Sequence, residues 1–477
     1  MGKHRLKAPH IFLLILASLL ALAWFKDTPP SPVQLRNTVT ITYWEKWTGF
    51  EGEAMKATID YFNDKKIRNK KGQVIHCECL TTTNVDRKSL LAIAGGQPPD
   101  LAGFWSFNTH LFADMGALLP LDHFIESEGL TVDQYMSRYA PVYRRSCTYR
   151  AAGRPKEEVW CLVTTPATVA LHWNKEMFKE AGLDPDRPPQ TIQELMEYNE
   201  KLTKRDKTTG KIIQMGFLPI EPGWWNWAWG YYFGGKLNDG LEKVTPNDPR
   251  NIEAWKWVVS FTEGYRPEVL QAFSSSFGSA FDSPQNAFMS GKVAMVVQGV
   301  WMANFIRFHN PNLQWGCGPM PAAFDTHGQP VTVAEMDVIT IPKGCKHPEE
   351  AWEVIKFVNS KEGMEYVCGK ATNTVTGKEN SGGQGKLTPF LEVDDEWVKR
   401  HSHPYLRVFI DLAHSQNAVG TPQLAVWDEY RDELDAAFQR VWLKQASPEE
   451  ALLGVQRRIQ PKLDMALKRR HFREKGE

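Results

Sequence analysis

Apolar and polar residues alternate along Val39-Thr40-Ile41-Thr42-Tyr43-Trp44, the two-residue period of a strand with one buried face, and Glu45-Lys46-Trp47-Thr48-Gly49 ends it with loop chemistry. The period then lengthens. Met55, Ile59 and Phe62 recur at helical spacing with Thr58 between them, which predicts a helix burying one stripe. Residues 74–80 read as a second strand, and residues 87–94 as a short helix stopped by Gly95-Gly96 with Pro98-Pro99 beyond. Residues 100–104 make a third strand. A βαβαβ order of this kind predicts a mostly parallel sheet with helices on both faces. In such a sheet the loops at the carboxyl ends of the strands form the ligand crevice. Trp47 follows the first strand, and Trp105, Ser106 and Asn108 follow the third.

A second α/β unit begins with a strand at residues 168–173. Asn174 is placed to cap the helix after it, which Gly182 ends, and Thr191 with Glu194 forms a capping box for a helix with the stripe Ile192, Leu195, Met196 and Leu202. Residues 288–301 read as a helix end, a tight turn at Gly291, a strand, and Gly299 freeing the backbone before Trp301. Residues 331–341 read as a strand pair interrupted by Glu335-Met336-Asp337, where a buried sheet offers no reason for carboxylates. A helix opening at His347-Pro348-Glu349-Glu350 carries Ala351, Trp352, Ile355 and Val358 on one face. The Gly-Gly-Gln-Gly-Lys run ending at Lys386 looks phosphate-binding. Leu387 stands where Ser or Thr is required, and no Gly lies five residues before Gly385, so the P-loop pattern fails. The last hundred residues are expected to be helical. Arg431 sits one turn after Trp427 on the same side, and Ser447-Pro448-Glu449-Glu450 opens a helix burying Leu452, Val455 and Ile459.

Length and charge narrow the class. A chain of 477 residues exceeds what one core supports, so two or more domains are expected. Lys plus Arg and Asp plus Glu both number 56, a balance without the basic excess of a nucleic-acid binder, so no nucleic-acid partner is expected. Lys3, Arg5 and Lys7 precede an apolar run from Ile11 to Phe25, and Ala21-Leu22-Ala23 supplies a small-x-small cleavage pattern. Residues 1–25 are thus a signal peptide or a retained N-terminal anchor, and residues 26–37, with three prolines, a stiff linker. No Cys near the apolar run invites lipid attachment. Seven Cys, an odd number, leave at least one thiol free or paired with another molecule. Cys147 and Cys161 bracket a turn-rich piece and are placed to close a hairpin. His76, Cys77 and Cys79 lack a second ligand pair at zinc-site spacing, so no metal is expected.

The densest candidate chemistry lies between Gly216 and Gly235, where Trp224, Trp225, Trp227 and Trp229 crowd behind Glu221. Indoles bury large apolar areas and commonly fill cores. After a Pro-Gly kink at the end of a strand they also present flat faces that stack on the C–H faces of sugar rings, with Glu221 accepting hydroxyl hydrogen bonds.

Several stretches in a fixed order carry a resemblance. They are Gly96-Gln97-Pro98-Pro99-Asp100; Gly116-Ala117-Leu118-Leu119-Pro120-Leu121-Asp122; Asn174 to Leu183 with its Glu-Ala-Gly-Leu end; Gly291-Lys292-Val293-Ala294-Met295 with Gly299 and Trp301; and Ser447 to Leu452. From about residue 38 to 467 the chain resembles the family 1 extracellular solute-binding proteins of ABC importers. The resemblance implies a periplasmic-binding-protein-like α/β fold, two lobes joined by a hinge that the chain crosses more than once, closing on ligand. It implies a first lobe of residues 38–165 plus 331–380 and a second of 166–330 plus 381–467; the residues at 468–477 themselves read as a basic, polar, frayed tail. The resemblance implies sugar-binding residues at Trp105, Trp301 and Trp427 with Arg431 nearby, and at Glu221 with Trp224 and Trp225. Trp47, Asn108 and Asp337 fall in the ligand loops without an identical counterpart.

The chain departs from the maltodextrin binder of this family. Ser106-Phe107-Asn108 replaces an acid-base pair, and Pro166-Ala167 replaces an acidic contact, so maltodextrin itself is not implied. The resemblance implies a periplasmic or otherwise extracytoplasmic monomer without cofactor, partnered by a sugar or oligosaccharide and by permease subunits, and performing no catalysis. Two alternatives stay open. One is a glycoside hydrolase with Glu221 and Asp337 as its carboxylates, which would need a separation of about 5 to 9.5 Å. The other is a binder of a non-sugar solute such as a polyol phosphate.

Overall fold

A computed structural model describes residues 37–475, apart from Leu241, Gly264 and residues 279–282. The expected signal peptide or anchor, and all but the last residue of the linker, lie outside the described residues. The strands are β1 (Thr38–Glu45), β2 (Val74–Thr81), β3 (Leu101–Trp105), β4 (Thr148–Tyr149), β5 (Glu158–Val159), β6 (Leu162–Asn174), β7 (Lys204–Arg205), β8 (Ile212–Phe217), β9 (Val293–Gly299), β10 (Trp315–Gly318), β11 (Thr332–Thr340) and β12 (Ala418–Val419).

The alternation in β1 buries Val39, Ile41 and Tyr43 and carries Glu45 inward on the same face. β1 pairs in parallel with both β2 and β3, with Tyr43 opposite Leu101. The helix Gly49–Asp64 covers this group with Met55, Thr58, Ile59, Tyr61 and Phe62. The order β2-β1-β3-β11-β6-β9-β8-β7 then runs through one continuous sheet, with β10 on β6 and β12 on β11.

Two long strands make the sheet continuous. β6 pairs with β11 from Leu162 to Thr168 and with β9 from Val169 to Trp173. Its first half packs Leu162 and Val163 into one hydrophobic core, and its second half packs Val169, Leu171 and Trp173 into another. β11 does the same in reverse, with Val333 in the second core and Ala334, Met336 and Val338 in the first. Each strand thus belongs to both α/β lobes, and backbone hydrogen bonds run through the junction.

Several expectations need correcting. The crossing expected after residue 380 lies between Ala418 and Leu424: Leu387, Trp397, Leu406, Phe409, Ile410 and Ala413 all pack in the first core. The cause is the helix Leu406–His414, whose apolar face meets β6 and the helix Pro141–Cys147. Glu335-Met336-Asp337 does not interrupt β11. The strand continues, and the polar residues are accommodated by a register shift against β6 between Asp337 and Val338. The helix end expected near residue 288 is a set of turns in which the Asn286 side chain accepts from the Phe288 and Met289 amides at 2.9 and 3.3 Å. The basic tail is helical through Lys475, and Arg470 reaches back to the Arg150 carbonyl and lies over Tyr149 at 5.8 Å. The β4–β5 hairpin forms between Cys147 and Cys161, with both thiols buried and free.

Between the lobes lies a cluster of neutral histidines. His172 stacks on Trp315 at 5.5 Å, and His403 meets Trp315 and Phe409 edge-on at 6.1 and 5.0 Å. Burial pulls His172 and His401 down to about 4 and His403 well below the ordinary imidazole range, and it pulls His110 down to about 4 as well. These rings bind protons in the unfolded chain but not in the native one below about pH 6.5, so stability falls as pH drops from there. Glu221, Glu335 and Asp435, whose carboxyls burial pushes up, act in the opposite sense. Glu45, Asp60, Glu365, Asp411 and Asp428 are raised as well, but the four rings titrate in the unfolded chain near pH 6.5, inside the interval from pH 7.5 to 5, and set the sign there. Urea unfolding at pH 7.5 and 5 should show a lower midpoint at pH 5; an equal or higher midpoint would contradict this balance.

Candidate functional site

The loop after β1 begins with buried Glu45, which accepts from the Trp47 amide at 3.0 Å and so fixes the direction of Lys46-Trp47. The loop after β3 starts as a 3-10 turn, Ser106–Asn108. That turn stacks Trp105 on Phe107, with centroids 5.9 Å apart and planes 5° from parallel. Trp47 meets Trp105 edge-on at 6.1 Å, completing one aromatic wall.

The facing wall comes from the second lobe. Gly223, at φ +87, lets the chain turn after Pro222; a side chain would be strained there, with its Cβ 3.0 Å from the Ile220 carbonyl oxygen. Trp224 and Trp225 follow, each about one ring contact from Trp301, at 6.2 and 6.1 Å. Trp301 folds back over the backbone of Gly299, where any Cβ would fall 2.3 Å from the indole, so a glycine is required two residues before that ring. Trp427 packs edge-on against Trp227 at 5.1 Å and opens the helix Trp427–Trp442.

Between these walls is a cavity of about 530 Å³ with Ala167 of β6 and Glu335, Met336 and Asp337 of β11 at its base. Trp47, Trp105, Trp224, Trp225, Trp301, Asp337, Trp427 and Arg431 all line it, so most of the candidates from distant parts of the chain are brought together. Asn108 and Glu221 are not among its lining residues. Asn108 is turned inward at the start of the helix Thr109–Asp114, leaving Phe107 on the cavity. Glu221 faces a separate small void behind Trp225, bounded by Val169, Trp229 and Tyr232, and burial there pushes its carboxyl up to about 7.

Asp337 is the most connected group. Its Oδ1 accepts from Lys46 at 2.6 Å, and its Oδ2 accepts from the Trp47 indole at 2.8 Å, from Thr165 at 2.6 Å and from Lys386 at 3.3 Å. Burial by itself would raise this carboxyl, but the two ammonium groups and the Thr165 hydroxyl outweigh it and hold it well below the usual carboxylate range. Lys386 donates in three directions, to Glu51 at 3.2 Å, Asp337 at 3.3 Å and Thr165 at 3.4 Å. Lys46 lies over the Trp47 ring at 3.9 Å and near Trp105 at 4.9 Å, joining the charges to the aromatic wall.

Two polar groups on the cavity are left open. The Trp301 indole N–H and one Asp435 carboxylate oxygen are buried without a hydrogen-bond partner. Burial pushes Asp435 up to about 6 against the pull of Arg431. Glu335 accepts from Thr421 at 3.2 Å, and burial raises its carboxyl despite Thr421 and Arg431. Among the described residues no group of three or more His, Cys, Asp or Glu side chains could hold a metal ion. Glu51, Phe107, Phe305, Glu335, Lys386 and Asp435 are cavity residues that sequence reasoning did not nominate. Glu335 carried a signal, a carboxylate in an apolar strand, and Lys386 carried one in its Gly-rich run, which points to phosphate; Glu51, Phe107, Phe305 and Asp435 lie on helices or in loops with no distinguishing pattern.

A cleft between two α/β lobes joined by shared strands, walled by indoles and floored by hinge residues, defines a solute receptor of periplasmic-binding-protein-like fold. Residues 81–365 match the model of the bacterial extracellular solute-binding proteins, and the chain belongs to that family. The maltotriose-binding protein of Pyrococcus abyssi is 25% identical over 274 residues, 56% of this chain but only 52% of that protein's length. The sn-glycerol-3-phosphate-binding periplasmic protein UgpB of Salmonella paratyphi A is 23% identical over 435 residues, 87% of this chain and 90% of the relative. Among solved structures, CpMnBP1 with mannotriose bound superposes with a TM-score of 0.67 at 27% identity, covering 88% of this chain and 99% of that one. The sugar-binding protein MalE from Xanthomonas citri shares the fold at a TM-score of 0.68 and 17% identity, covering 91% and 99%.

The Asp337 network also bears on stability. Lys386→Met removes one partner from a buried ionic cluster and should destabilise the fold by about 3 kcal/mol. Chemical unfolding of the variant checks this; a loss below about 1 kcal/mol, the worth of an exposed pair, would mean that Lys386 is solvated.

Proposed function

We propose that the chain is the extracytoplasmic binding component of an ABC importer and takes a neutral sugar or oligosaccharide into the cavity between its lobes. The observation that carries this reading is the pairing of two indole walls with an open donor at Trp301 and an open acceptor at Asp435. Ring faces suit the C–H surfaces of pyranoses, and the open polar groups suit hydroxyls, whose satisfaction fixes ligand orientation. The names of the relatives, which bind maltotriose or mannotriose, support the same class. Delivery to membrane permease subunits follows from the family, and residues 1–25 direct export ahead of it. Among the described residues no helix is long and apolar enough to cross a membrane.

The protein performs no hydrolysis in this reading. Glu221 and Asp337 face different spaces, and Asp337 is saturated by donors and held ionised, which suits neither a general acid nor a free nucleophile. Prolonged incubation with a labelled oligosaccharide should return it intact.

Isothermal titration across a panel of neutral oligosaccharides and polyols tests the binding reading, and micromolar affinity for at least one is expected. A protein silent to the whole panel would overturn it. Trp224 is 39% exposed at the cavity rim, so Trp224→Ala should spare the fold. It should weaken binding by about threefold to tenfold, the worth of an aromatic platform of roughly 0.5 to 1.5 kcal/mol. Asp435→Ala removes a charged acceptor and should weaken binding by about tenfold or more.

A further inference from the structure

The Gly-rich loop that ends at Lys386 resembles a phosphate loop in composition, and some relatives are named for a phosphorylated polyol. The loop is nevertheless built into the cavity as something else. Gly383 and Gly385 have φ of +58 and +65, and a Cβ on either would strike its surroundings, at 2.6 Å from Val367 and Gly369 backbone atoms and 2.7 Å from Asn304. The Gln384 side-chain amide donates to the Glu51 carbonyl at 3.0 Å, and the Gln384 backbone carbonyl accepts from the Asn304 side chain at 2.6 Å. The loop is thereby fixed between the helix Gly49–Asp64 and the helix Met302–His309. It presents a lysine side chain only 2% exposed.

That ammonium has no proton to offer an anion, because Glu51, Asp337 and Thr165 take all of its directions. Lys46 is likewise 2% exposed and committed to Asp337 at 2.6 Å. Arg431, the remaining cation on the cavity, sits 3.7 Å from Asp428 and 3.9 Å from Asp432 with its guanidinium over Phe107. Lys46 lies outside the lining, so on the cavity itself Lys386 and Arg431 face Glu51, Asp337, Glu335 and Asp435, and the carboxylates are in excess. An arriving phosphate would lose its hydration for Arg431 alone, already shared with Asp428 and Asp432, and would meet Glu335 and Asp435 besides.

We infer that Glu51 and Asp337 set the charge specificity of the cavity: by cancelling Lys386 and Lys46 they admit uncharged polyols and exclude phosphorylated ones. Both act through the lysines and are specificity-determining by position. The inference rests on the proposal that the cavity is the ligand site, but its readout is separate. The acid-to-amide changes Glu51→Gln and Asp337→Asn keep shape and remove one negative charge each. Glu51→Gln leaves Lys386 paired with Asp337 and is the variant expected to stay folded; Asp337→Asn releases both lysines and gives the larger effect.

The experiment titrates glycerol 3-phosphate, inorganic phosphate and a neutral oligosaccharide into wild type and both variants, with thermal unfolding as the check on folding. Wild type should bind neither phosphate species at millimolar concentration, and neither should displace the neutral ligand. Glu51→Gln should gain roughly tenfold or more in affinity for glycerol 3-phosphate, as expected for removing one unit charge a few ångströms from the site in a partly buried setting. Added salt should weaken the gained binding. A folded Glu51→Gln or Asp337→Asn that still ignores phosphate would overturn the inference, as would wild type that binds glycerol 3-phosphate. The latter result decides even if both variants unfold. Failure of the neutral panel with phosphate gain intact would instead count against the sugar reading alone.

Discussion

The structure turns on a buried carboxylate at the middle of a shared strand. Asp337 lies on β11 opposite both Trp105 of β3 and Thr165 of β6, where the strand passes from one core toward the other. Two ammonium groups, an indole N–H and a hydroxyl converge on it, so its burial is compensated as a buried charge requires. The consequence reaches beyond stability. Trp47 is held by its N–H, and Lys46 is held over Trp47 and Trp105. The first aromatic wall is set before any ligand arrives, which reduces the ordering cost of binding.

The second wall is set by different means. Gly299 and Gly223 supply backbone freedom, and Trp301 with Trp224 and Trp225 packs on itself. The walls are carried by different lobes but touch each other's cores, Phe107 packing on the second core and Trp301 on both, and the lobes are joined through β6, β11 and the chain between Ala418 and Leu424. A ligand touching both walls adds contacts that only the closed arrangement makes, so binding energy can select that arrangement. The open polar groups, the Trp301 indole N–H and one Asp435 oxygen, both line the cavity, and Asp435 sits on the helix Trp427–Trp442.

Much of this was legible in the sequence, for reasons that differ by residue. The β1 alternation, the Asn174 cap and the Ser447–Glu450 capping box are local rules, and they formed as expected. The tryptophans of the cavity are legible through a resemblance in order, and Trp427 and Arg431 share a helix and both line the cavity. Asp337 was noticed as an anomaly, but its partners Lys46 and Lys386 lie 291 and 49 residues away, beyond the reach of any local pattern. Glu221 was misplaced because adjacency to Trp224 and Trp225 says nothing about which side of the indoles a carboxylate takes. Placing the chain from residue 381 in the second lobe meets a similar limit: an amphipathic helix shows that it buries a face, not against what, and Leu387 to Ala413 pack in the first core.

The most direct measurement is a crystal structure of the protein with a neutral oligosaccharide selected by titration. The account predicts sugar rings lying against Trp105 on one wall and Trp224 or Trp301 on the other. It predicts hydroxyls hydrogen-bonded to the Asp435 carboxylate and the Trp301 indole, with Asp337 still bound to Lys46 and Lys386. A ligand lodged outside this cavity, or one whose hydroxyls displace the lysines from Asp337, would contradict it.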